Sequence, residues 1–77
     1  MKITDVSKIK NKIVAFCIGD DIPMEETVSG VVTSNGSRLR VEKYDPNISF
    51  TGEKTALICF YDVTDTDSIP IGEAEII

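Results

Sequence analysis

Thr27-Val28-Ser29-Gly30-Val31-Val32-Thr33-Ser34-Asn35-Gly36-Ser37-Arg38-Leu39-Arg40-Val41-Glu42-Lys43-Tyr44 decides the fold. Two runs rich in β-branched residues flank Asn35-Gly36, the dipeptide best suited to a type I′ turn, in which both central residues need positive φ. With a two-residue turn there, Val32 faces Leu39, Gly30 faces Val41 and Val28 faces Lys43. One face then carries Val28, Val32, Leu39 and Val41 around Gly30. The other carries Thr33 with Arg38, Val31 with Arg40, Ser29 with Glu42 and Thr27 with Tyr44. Gly30, bare on the core side, reads as a bend, a bulge or a close strand crossing.

Outward from the hairpin the period stays at two. Lys12 to Ile18 is apolar on both faces and ends at Gly19-Asp20-Asp21, as a buried strand does. Pro23 keeps the following segment, Asp21 to Glu26, a loop. Asp45-Pro46-Asn47 opens a connection to Lys54, in which Ile48 and Phe50 either plug one end of the core or form a brief strand. Thr55 to Val63 carries Leu57, Cys59, Tyr61 and Val63 on one face and Ala56, Ile58 and Phe60 on the other, the pattern of a central strand. Asp62 to Ser68 is a polar turn, and Ile69 to Ile77 a closing strand weakened by Pro70 and Gly72. Helix is scarce: Thr4 or Asp5 can cap at most one short turn near the N-terminus. These features predict one all-β domain over residues 1–77, a five-stranded antiparallel curled sheet or barrel of the SH3-like or OB-like kind.

Composition restricts the chemistry. The 77 residues hold thirteen acids, eight bases and no His, a net charge of −5. Without His, the usual acid/base at neutral pH and the commonest zinc ligand are both missing. Cys17 and Cys59 each sit in an apolar run and read as small buried hydrophobes. There is no phosphate-binding glycine loop, and a barrel this small offers little room for a dry pocket, so an enzyme is not expected and no cofactor or metal is called for. Asp62, Asp65, Asp67 and Glu73 fail as an EF-hand, because Asp67 stands where that loop needs glycine.

The charge is also uneven. Lys2, Lys8, Lys10 and Lys12 face Asp5 alone in residues 1–12, leaving twelve acids against four bases elsewhere. Two acidic loops result: Asp20, Asp21, Glu25 and Glu26 in one, Asp62, Asp65 and Asp67 in the other. No apolar run exceeds six residues, far short of a membrane span, and residues 1–6 lack a signal peptide's apolar stretch. The expected location is the cytoplasm, away from membranes.

These observations favour a non-enzymatic protein-binding, regulatory or accessory module. Its contact residues are predicted to be Val31, Arg38, Arg40 and Tyr44 on the outward hairpin face, assisted by the acidic loops, since Arg and Tyr dominate interface energetics. Self-association through an exposed sheet edge is the companion expectation. The alternative is a single-strand nucleic-acid binder using Arg38, Arg40 and Tyr44, with Phe16, Phe50 and Phe60 kept in the core. The acidic balance weighs against it.

Overall fold

Lys10 and Asn11 both take positive φ, 49° and 67°, and so form the two-residue turn of a hairpin. That turn pairs β1 (Lys2–Ile9) with β2 (Lys12–Ile18), Ile9 opposite Lys12. The N-terminal segment is therefore a strand and not a helical turn. Ile3, Thr4, Val6 and Ile9 are β-branched, which suits a strand, and the segment pairs with β2 with one irregularity at Thr4. The computed structural model describes residues 1–25 and 27–77 and completes the chain with β3 (Gly30–Val32), β4 (Arg38–Ile48), β5 (Lys54–Phe60), a 3-10 turn at Thr66–Ser68, β6 (Gly72–Glu73) and β7 (Glu75–Ile76). The sheet is antiparallel, seven-stranded and ordered β6-β1-β2-β5-β4-β3-β7.

The count is seven instead of five because the closing segment splits. Gly72-Glu73 pairs with β1 at one edge and Glu75-Ile76 with β3 at the other, with only Ala74 between them. One short tail thus joins both edges of the curled sheet. Ala74 N–H donates to Met1 O and Ile77 N–H to Gly30 O. Gly30 lets the tail cross: a Cβ there would lie 2.9 Å from Ile77 Cγ1. The close crossing read from Gly30 is present.

The central hairpin has a different register from the one the dipeptide suggested. Gly30 pairs with Arg40, Val31 with Leu39 and Val32 with Arg38. Thr33 N–H donates to Ser37 O and Gly36 N–H to Thr33 O, closing a three-residue loop in which Gly36 has a φ of 85°. Asn35 Oδ1 accepts from Ser37 N–H at 3.1 Å and from the Thr33 hydroxyl at 2.5 Å. These bonds hold Asn35 as the middle of a tight turn and leave Gly36 alone in the left-handed region. The one-residue slip turns β3 over and leaves β4 as expected, with Leu39 and Val41 toward the core and Arg38 and Arg40 outward. Val31 is 0% exposed and belongs to the core, so it is not an outward contact residue.

Two further expectations change. β4 does not stop at Tyr44 but runs through Pro46 to Ile48, and residues 49–53 form the turn into β5, with Ser49 N–H bonded to Glu53 O. Pro46 is tolerated because β3 has already ended, so this part of β4 has β5 as its strand neighbour. Phe50 sits at the tip of that turn, 108% exposed, instead of plugging the core. The core comes from Ile3, Ile13, Ala15, Cys17, Val31, Ala56, Ile58 and Phe60, sealed by Ile22, Val28, Ile69 and Ala74 from the connecting segments.

Candidate outer-face binding surface

β2 and β5 lie side by side at the centre of the sheet, and both are apolar on both faces. Their inward residues, Ile13, Ala15, Cys17, Ala56, Ile58 and Phe60, build the core. Among the described residues none forms a layer over the outward side chains. Phe16 is 37% exposed, Leu57 46% and Tyr61 44%, with Val14 and Cys59 half-buried beside them. A strand apolar on both sides is normally covered on both. Here an apolar ribbon faces solvent.

The registers lay this face out in rows. Ser7, Val14, Cys59 and Lys43 form one row across β1, β2, β5 and β4; Asp5, Phe16, Leu57 and Asp45 form the next. Ile9, Lys10, Lys12, Val14, Glu42, Lys43 and Cys59 line a shallow open depression at the Val14–Cys59 end. A second depression over Val14 and Cys59, walled by Leu57, Lys43 and Asp45, continues it. Phe16 and Leu57, one row away, stand as a ridge beside them. Lys12 Nζ donates to both Glu42 carboxylate oxygens, at 2.9 and 3.1 Å, which closes the rim and holds the Lys12 amine above its ordinary range. Lys10 and Lys43 remain at the basic end, Asp5 and Asp45 at the other.

The four predicted contact residues do not converge. Arg38 and Arg40 point outward and are exposed. A bulge at Glu42 then reverses the alternation along β4: Val41 pairs with Phe60, but the next pair is Lys43 with Cys59. Tyr44 consequently faces inward, half-buried, and its hydroxyl donates to Pro23 O at 2.5 Å. Burial pushes that phenol above its ordinary range. Tyr61, not Tyr44, meets Arg40: the guanidinium lies 4.9 Å from the Tyr61 ring centroid, and its Nη2 donates to Asp62 Oδ2 at 2.6 Å. The Arg38-Arg40-Tyr44 trio of the nucleic-acid alternative is thereby divided between two faces.

The acidic loops occupy opposite ends of the central strands, since residues 19–29 follow β2 where β5 begins, and residues 61–71 leave from the other end of β5. Asp21 Oδ2 accepts from the Met1 ammonium at 2.6 Å, and this bond holds the carboxyl below its usual range. Asp20 and Glu25 are exposed, and Glu26 lies outside the described residues. Asp65 Oδ1 caps the 3-10 turn through Asp67 N–H. Among the described residues no three His, Cys, Asp or Glu side chains group as metal ligands. Nor is any helix among them long and apolar enough to cross a membrane.

Cys17 and Cys59 are on opposite faces of the sheet. Burial pushes the Cys17 thiol up to about 11. A thiol whose folded pKa is raised favours the folded state below its unfolded pKa near 9, and that contribution is lost as pH climbs through about 11. Urea unfolding is expected to show an alkaline loss of about 2–3 kcal/mol from this group. Cys17→Ala should flatten the stability profile between those two pH values; an unchanged slope would place the thiol in water. Iodoacetamide should label Cys59 alone in the native chain and both thiols after unfolding.

No family model, curated protein or solved structure matches the chain. The outer face was the feature that hairpin-centred reading missed. Its signal was present in the sequence as the apolar outward set Val14, Phe16, Leu57, Cys59 and Tyr61.

Proposed function

We propose that the chain is a non-enzymatic protein-binding module whose contact surface is the outer face of β1, β2, β5 and β4. One observation carries this reading: the apolar ribbon of Val14, Phe16, Leu57, Cys59 and Tyr61, exposed at the centre of the sheet and framed by charge. Interfaces have this anatomy, with an aromatic and aliphatic centre depleted of charge inside a polar rim. An apolar patch on two rigid central strands is also preorganised, so binding orders few groups. The mixed rim of Lys10, Lys43, Asp5 and Asp45 suits a protein surface better than a phosphate backbone, which would require a consistently cationic track.

The double variant Phe16→Ser/Leu57→Ser separates binding from folding. Its unfolding free energy should fall by about 2–3 kcal/mol at most and leave the chain folded, because Phe16 and Leu57 are only about half covered. Its retention on a phenyl hydrophobic-interaction column should fall clearly. A variant that unfolds, or one retained as strongly as the parent, would overturn the reading.

A further inference from the structure

We infer that the outer face is self-complementary and that its occupant is a second copy of this chain, packed face to face about a two-fold axis. This rests on reading that face as the binding surface, and shape and charge support it independently.

Shape comes first. The depressions lie over Val14 and Cys59, and the ridge of Phe16 and Leu57 stands one row away on the same two strands. Same-face neighbours along a strand are about 6.8 Å apart. Place the two-fold axis in the plane between the copies, perpendicular to the strands and midway between these rows. Each ridge then falls on the other copy's depression: Phe16 meets the partner's Val14, and Leu57 meets the partner's Cys59. Large side chains fill the space over small ones, twice.

Charge selects the same axis. Lys43 and Asp45 occupy the same two rows at the edge of the ribbon, so the operation places Lys43 opposite the partner's Asp45, again twice. An axis parallel to the strands would keep each row over itself and set Asp5 opposite the partner's Asp45, acid against acid. Of these two axes, the perpendicular one satisfies both the ridge and the charges. Four strands about 4.8 Å apart and seven residues long span roughly 450 Å² in projection. That lies below the roughly 600 Å² per partner at which standard interfaces begin, so the association is expected to be weak.

Sedimentation equilibrium across micromolar to millimolar concentration tests the inference. The parent should pass from the 8.4 kDa chain to twice that mass. Lys43→Asp and Asp45→Lys should each weaken association about tenfold or more, and the combined Lys43→Asp/Asp45→Lys exchange should restore it to within about threefold of the parent. Melting curves confirm that these exposed positions leave the fold intact. A chain monomeric throughout, or a double exchange no better than either single change, would overturn the dimer. If the dimer fails while Phe16→Ser/Leu57→Ser stays folded and loses column retention, the face still binds, but another protein occupies it. If that serine variant unfolds, the binding-surface reading falls as well.

Discussion

Replacing Val31 with lysine is expected to abolish cooperative folding, whereas the same change at Val32 should cost less than about 1 kcal/mol. Val31 is wholly buried between Leu39 on β4 and Ile76 on β7. Lysine there must either bury an unpaired ammonium or give up its proton, at a cost of several kcal/mol. A domain of this length has a total stability of about 4–12 kcal/mol, so little remains. Val32 faces the other way, between Arg38 and Glu75, where a long amine reaches water. Urea unfolding followed by circular dichroism measures both. Equal losses, or a larger loss at Val32, would restore the two-residue turn at Asn35-Gly36.

A comparably large effect is expected one layer deeper. Ile58→Ala should remove about 3–4 kcal/mol, through lost transfer energy and the cavity left behind. Ile58 is buried at the middle of the central strand, paired with Ala15 on one side and Tyr44 on the other. Leu57→Ala, one residue away on the outward side, should cost under about 1 kcal/mol. The contrast between neighbours matters more than either value. Similar losses at both would mean that the outer face is covered by the chain itself, leaving no open ribbon.

The β class was legible because residues 12–18 and 55–63 are short apolar runs rich in β-branched and aromatic residues, and both segments proved central. Register was not. Val31 and Val32 are both apolar and Gly30 has no side chain to commit, so either register buries a valine and period two cannot choose between them. The choice is made by Asn35's side chain and by the tail that pairs Val31 with Ile76, contacts that the alternation pattern does not encode. The Lys10-Asn11 turn was hidden for a related reason. Asn11 tolerates the left-handed region, but lysine gives no such signal, and the segment resembled a capped helical turn. The Arg-Tyr surface was displaced by one bulge at Glu42, which sends Tyr44 inward and leaves Arg40 to Tyr61.

The site was legible in half. Residues 55–63 announced an apolar set on each face, and the natural expectation was that both would be covered. Only the topology shows which face lacks a layer: the tail closes the sheet at its edges and leaves the outside of β2 and β5 open. The acidic loops stood out as charge, but the fold bonds Asp21 to the Met1 ammonium, Asp62 to Arg40 and Asp65 to the Asp67 N–H.

The most direct test of the outer face as a contact surface is a photo-crosslinking amino acid at position 57 in cells that carry the chain, with position 51 as an exposed control. Irradiation should give one discrete adduct from position 57, at twice the chain mass, and none from position 51. No adduct from position 57, or the same diffuse products from both positions, would contradict the account.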